Sequence, residues 1–179
     1  MRWISLLRGV NVGGHRKVPM ADLRDVARGL GWGDAATYIQ SGNLVFSARG
    51  KAESIAARLE EAIAERFGFQ VDVVVRSAEQ WAGYAGNNPF PEASSREPNR
   101  VFLVLGRESP DPKRGAALRE RATGGEAIEF AGDAVWIHYA AGMGKTQIQS
   151  ALIDRLLGMP TTARNWRTVL ALRGLVAGS

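Results

Sequence analysis

Five uncharged residues, Trp3 to Leu7, lie between Arg2 and Arg8 and are apolar on both faces of an extended chain. That pattern predicts a central strand. Met20, Leu23, Val26, Ala27 and Leu30 then recur at helical spacing, and Gly31 stops the helix. The runs "ATYIQ" and "NLVFSA" flank Ser41-Gly42, a hairpin signal. Ile55, Leu59, Ala62, Ile63 and Phe67 stripe a second helix that ends at Gly68. Val71, Val73 and Val75 alternate with Asp72 and Arg76 as a half-buried strand. The order β-α-β-β-α-β is that of a ferredoxin-like unit.

A short helical stretch from Ser77 to Gly86 leads into "NNPFPEASSREPNR", the one Pro/Ser-rich segment. After it the pattern restarts: "VFLVLG" as a strand, a helix over 112–122, "AIEF" and "AVWIHY" around Gly132-Asp133, and a helix from about 145 to 157. "SGN" at 41–43 is matched by "AGD" at 131–133. The chain then reads as closing with a helix, "TARNWRTVLALRGL", where a fourth strand belongs. The expected architecture is therefore α+β: two duplicated ferredoxin-like subdomains, 1–86 and 100–179, joined by a linker over 87–99. The second lacks its own last strand and carries a C-terminal helix. Its sheet either has three strands or borrows one.

In such a unit the first two strands run parallel, so the loop leaving the first lies beside the hairpin leaving the second. "NVGGHRK" and "QSGN" then meet. Asn11, His15, Lys17, Gln40, Ser41 and Asn43 become candidates for one polar cluster. Gly13-Gly14 allows backbone N–H groups to turn toward one point, as in an anion-binding nest. The helix that follows begins near Pro19, and Val18 before it offers no side-chain cap. A phosphate or carboxylate suits its free N–H groups, with Arg16 and Lys17 adding charge. The alternative is a flexible glycine turn with incidental basic residues.

The net charge of +5 sharpens this only through its distribution. Residues 1–30 hold six Lys/Arg against two Asp/Glu, and 142–179 hold five against Asp154 alone, while the middle is net acidic. The basic ends suit an anionic small molecule or nucleic acid if they meet in space; a solvated basic surface explains them equally well. With no cysteine, thiolate chemistry and disulfides are excluded. No apolar run approaches the roughly 20 residues of a membrane span, and "MRWISLLRG" is too short for a signal-peptide core. The expected location is cytoplasmic, with no membrane partner.

"GMGKT" at 142–146 lies between a strand and a helix, but Tyr139 stands where a phosphate loop needs its first glycine. A weaker nest with Lys145 remains. In "TARNWRT", Arg164 near the helix start opposes the helix dipole, so an anionic neighbour relieves it; Trp166 reads first as a core anchor. His15 and His138 are the only histidines, and no metal-ligand spacing exists. No metal or cofactor is expected. His15 is the one weak candidate for acid–base catalysis.

"LLRGVNVGGHRKVPMADLRDV", "TYIQSGNLVFSA", "NNPF" and "TARNWRTVLAL" together resemble the domain-of-unknown-function 1697 family, across essentially the whole chain. The resemblance implies a bacterial cytoplasmic protein of two related ferredoxin-like subdomains, with no established activity. The family's motif positions fall here on Arg8, Gly9, Asn11, Gly13, Gly14, Lys17, Ser41, Gly42, Asn43, Arg164, Asn165 and Trp166. Similar proteins often carry lysine at position 15 and asparagine at 167, and both departures favour binding over proton transfer. The leading expectation is an anionic or phosphorylated ligand at loop 9–18 and hairpin 40–43. Its ligand-binding set is Arg8, Asn11, Gly13, Gly14, Lys17, Gln40, Ser41, Asn43, Lys145, Arg164 and Asn165. The alternatives are a small enzyme acting on a phosphorylated substrate, and a protein-interaction module using the open edge of the second sheet.

Overall fold

The structure, a computed structural model, describes residues 1–144 and 146–178. The described residues form a mixed α+β protein with two four-stranded antiparallel sheets and seven helices. The chain divides into two compact units: residues 1–85 with 171–179, and residues 86–170.

In the first unit the elements run β1 (Arg2–Leu7), α1 (Met20–Gly29), β2 (Gly33–Tyr38), β3 (Asn43–Ser47), α2 (Ala52–Phe67), β4 (Val73–Ser77) and α3 (Ala78–Gly86). The sheet order is β2-β3-β1-β4, so β1 is central, as its two-sided apolar sequence predicts. It pairs antiparallel with both β3 and β4, and β3 pairs antiparallel with β2. Strands β1 and β2 therefore run the same way, and their C-terminal ends lie at one end of the sheet.

Helix periodicity explains the core. On α2, Ile55, Leu59 and Ile63 fall one turn apart and are buried. They meet Trp3, Leu7, Leu44, Phe46 and the inward residues of β4. Trp32 stacks flat on Phe46, with ring centroids 4.3 Å apart. Gly68 ends α2 at a φ of +78°, a conformation glycine adopts without a Cβ penalty.

The second unit repeats the element order with α4 (Pro91–Arg96) ahead of it: β5 (Val101–Gly106), α5 (Pro112–Glu120), β6 (Glu126–Ala131), β7 (Ala134–Tyr139), α6 (Ser150–Leu157) and β8 (Thr161–Asn165). A final helix, α7 (Trp166–Ala177), follows directly. The sheet order is β6-β7-β5-β8.

This corrects the expectation of a missing last strand. Residues 161–165 pair antiparallel with β5 from Phe102↔Asn165 to Gly106↔Thr161, so the second sheet has four strands of its own. The segment is five residues of mixed polarity running straight into a helical pattern, which hides it from a periodicity argument. Asn165 ends the strand and caps the helix, its Oδ1 accepting the Thr168 N–H at 3.0 Å. The Asp154 carboxylate fixes the start of the strand by accepting from the Thr161 N–H and hydroxyl at 2.8 and 2.7 Å.

Two smaller differences follow local chemistry. Within 87–99, Pro91 opens α4, and Asn88 braces it by donating to Ser94 Oγ at 2.6 Å. The helix expected from about 145 begins only at Ser150, because Thr146 ties the chain before it to β6.

Candidate functional site

The site is built where β1 hands the chain to α1. Arg8 is engaged on leaving the strand: its N–H donates to Asp72 O at 3.0 Å and its guanidinium lies 4.0 Å from the Asp72 carboxylate. Two residues on, Asn11 adopts a φ of +56°, one of the few side chains for which this is common. Its backbone N–H donates to Arg16 O, and the His15 N–H to Val12 O, each at 3.1 Å. Gly13 and Gly14 sit between them at φ +58° and +78°, as a primed two-residue hairpin turn requires. "NVGGHR" is thus a small hairpin, exposed along its length beyond Asn11.

Asn11 clamps the base of this hairpin. Its Oδ1 accepts the Val18 N–H at 2.8 Å, and its Nδ2 donates to Val18 O at 2.9 Å and to Gln40 O at 2.7 Å. One side chain therefore closes the loop and joins it to the β2–β3 turn. That turn docks on β1 through Gly42, whose carbonyl accepts the Leu7 N–H at 2.8 Å. A Cβ at Gly42, which has a φ of +76°, would lie 2.7 Å from both Leu7 Cβ and Val10 Cγ2. Asn43, fully buried, holds the turn by donating to Tyr38 O and Ser41 Oγ, both at 2.9 Å.

These contacts open a cleft of about 710 Å³ at the start of α1. Its walls include Asn11, Lys17, Met20, Ala21, Arg24 and Gln40, and none of its lining residues is acidic. Helix α1 has no side-chain cap, so its first N–H groups are free to meet an acceptor, and its dipole favours negative charge there. Arg24 Nη1 donates to Thr37 Oγ1 at 2.6 Å, which orients the guanidinium. Lys17 is exposed and has no ion pair among the described residues.

Of the residues selected from sequence, the structure brings Asn11, Gly14, Lys17 and Gln40 to this cleft. Gly13 stays at the hairpin tip, Ser41 and Asn43 serve inside their turn, and Arg8 engages Asp72. His15 is exposed, and its ring has no described hydrogen-bond partner. Arg164 and Asn165 belong to the second unit. Arg164 is buried in β8, where Nη1 donates to Thr162 Oγ1 at 2.7 Å and to Ala163 O at 2.8 Å. Burial lowers its pKa to about 10, so it remains charged at neutral pH. Arg24 was missed from sequence: it reads as ordinary helix surface, although it lies one turn beyond Met20 on the same face.

Lys145 lies outside the described residues. What is described of "GMGKT" is organised round a carboxylate of the protein itself. Glu126 accepts from the Thr146 hydroxyl and, at 2.8 Å, from the Gly124 N–H. The Thr146 hydrogen bond lowers the Glu126 pKa below its ordinary value of 4.5, with desolvation opposing.

Fold and cleft define a two-unit α+β protein with a basic, carboxylate-free cleft at a helix start. A family model described as "Protein of unknown function (DUF1697)" matches residues 1–136, and the chain belongs to that family. A solved structure, conserved bacterial protein SP0830 from Streptococcus pneumoniae, is similar over 98% of both chains at 28% identity and a TM-score of 0.73. No curated protein matches the chain. Among the described residues no helix is long and apolar enough to cross a membrane.

Two outcomes test this geometry. Gly42→Ala should destabilise by about 2–5 kcal/mol, combining left-handed strain with overpacking. Gly14→Ala, with open space around it, should cost about 1–2 kcal/mol. Denaturant unfolding of both variants checks the order, and equal costs would contradict the docking contact. The second outcome concerns pH. The folded-state pKa of Glu126 is depressed, so its contribution is present above the unfolded value of 4.5 and is lost as pH falls through the lower folded value. Melting temperature should therefore fall less between neutral and acid pH in Glu126→Gln than in the unsubstituted protein.

Proposed function

We propose that this protein binds an anionic, phosphorylated ligand in the cleft at the start of α1. One observation carries the reading: Lys17, Arg24 and the uncapped helix N-terminus share a cleft whose lining holds no carboxylate. Two cations so placed repel each other until an anion lies between them. Backbone N–H groups supply further donors for phosphate oxygens.

The glycine hairpin enters this reading differently from a nest. It uses the N–H groups of Asn11 and His15 internally, and Asn11 occupies that of Val18. The ligand's donors are then those of the first turn of α1, and the hairpin forms a wall that carries Lys17. His15 has no orienting partner among the described residues, which favours binding over acid–base catalysis at this loop. The protein-interaction reading started from a sheet short of one strand; β8 fills that place, and that edge of the second sheet is β8 itself.

We read the two units as a duplication of one ferredoxin-like fold. Each follows βαββαβ, with its first strand central and its fourth strand beside it. The fourth strands carry a further likeness. Arg76 in β4 and Arg164 in β8 are both buried, and each donates through Nη1 to the carbonyl of the residue before it. Ser77 and Asn165 then each accept an N–H three residues on, at the start of the next helix.

The test is a titration of inorganic phosphate at low ionic strength, followed by amide NMR. Saturable shifts are expected at Met20, Ala21 and Asp22. Lys17→Ala and Arg24→Ala should each weaken binding about tenfold, as for one charge-assisted hydrogen bond. Unmoved amides at millimolar phosphate would reduce the cleft to a connector.

A further inference from the structure

The first unit has a second basic cleft, of about 430 Å³, at the other end of α1. It lies where the helix turns through Gly31 into Trp32 and where β3 runs out through Ser47 and Ala48. Trp32, Arg49 and Arg58 line it, again with no acidic residue in the lining. At 1.5 Å per residue, the ten-residue helix separates the two clefts by roughly 15 Å. They are distinct sites.

The chemistry of this cleft is one-sided. Arg58 lies over the Trp32 ring, its guanidinium carbon 5.7 Å from the centroid, and donates through Nη2 to Leu30 O at 3.0 Å. That bond uses one N–H of five and holds the group in place. Arg49 is exposed and has no hydrogen bond or ion pair among the described residues. Trp32 is 4% exposed, and its indole N–H has no acceptor among the described residues. Buried polar groups normally have partners. Asp34 reaches this wall through the Ser47 hydroxyl, which it accepts at 3.1 Å, and it lies 3.8 Å from Arg2. It is already engaged. Indole and guanidinium groups donate and do not accept, so the side chains Trp32, Arg49 and Arg58 bring donors and two positive charges together without an acceptor.

We infer that this cleft is a second binding site, for a small oxyanion held between the guanidinium groups of Arg49 and Arg58 against the edge of Trp32. The ligand class is a phosphate or carboxylate group, whose paired oxygens match the guanidinium fork. Arg58 is preorganised by its ring contact and by Leu30, and Arg49 closes on the anion from the strand side. Arg58 also ties down the carbonyl at the α1 C-terminus, so an anion drawing on Arg58 is coupled to the end of that helix.

The test follows the Trp32 indole N–H resonance, assigned with Trp32→Phe, as the full-length protein is titrated with inorganic phosphate and, separately, with chloride at matched ionic strength. A saturable shift with phosphate alone is expected. Arg49→Ala, at an exposed position without a partner, should leave the fold intact and weaken this response about tenfold. Arg58→Lys, which keeps the charge and loses the fork, should weaken it as well. Lys17→Ala should leave it unchanged, which separates this site from the cleft at the start of α1. If the indole signal follows chloride and phosphate alike, or if Arg49→Ala responds as the unsubstituted protein does, no oxyanion site exists here.

Discussion

Asn11 is the residue on which the cleft at the start of α1 depends. Three hydrogen bonds from one amide close the β1–α1 loop on Val18 and tie it to Gln40 in the neighbouring turn. The side chain supplies both an acceptor and donors, and its backbone tolerates the left-handed conformation. Aspartate offers no donors, and alanine offers neither. Without the clamp, the glycine hairpin has only its two internal backbone bonds to hold it. Lys17 would then lose its fixed place beside the helix start, and the cleft would lose a wall.

The contribution of the fold is to make this contact available. A central strand flanked by antiparallel neighbours sends β1 and β2 in the same direction, so their exits share an end of the sheet. Residues about thirty positions apart in sequence can then close one cleft. Gly42 makes the approach close, since any side chain there would strike Leu7 and Val10. The same helix that begins at this cleft ends at the Trp32 cleft. The unit therefore gathers positive charge at both ends of α1, while Asp22 and Asp25 along it are met by Arg66 and Arg28.

Much of this was legible in the sequence, and the exceptions have physical causes. The stripe Ile55–Leu59–Ile63 and the two-sided apolar run of β1 follow from burial and were readable. The meeting of "NVGGHRK" with "QSGN" followed from topology alone. Residue type was a weaker guide to role. Asn11, Ser41 and Asn43 read from sequence as ligand contacts; in the structure their side chains also make hydrogen bonds that hold the two loops, and Asn11 lines the cleft as well. Arg24 looks like helix surface and lines the cleft, because only the fold shows which helix face meets the loop. Strand β8 escaped because its five mixed residues pair with β5 through the backbone, and side-chain periodicity carries no trace of that partner. Trp32 gave no sequence signal as a cleft wall, since a tryptophan buried on all sides and a buried one that also lines a cleft look alike in sequence.

The central claim is that the cleft at the start of α1 is an anion site, and the most direct measurement is crystallographic. Crystals soaked in selenate, whose selenium scatters anomalously, should show an anomalous peak between the Lys17 ammonium and the Arg24 guanidinium, within hydrogen-bond reach of the Ala21 N–H. The peak should be absent from crystals of Arg24→Ala soaked in the same way. A cleft holding only water in the unsubstituted protein, with selenate confined to other surface lysines and arginines, would contradict it.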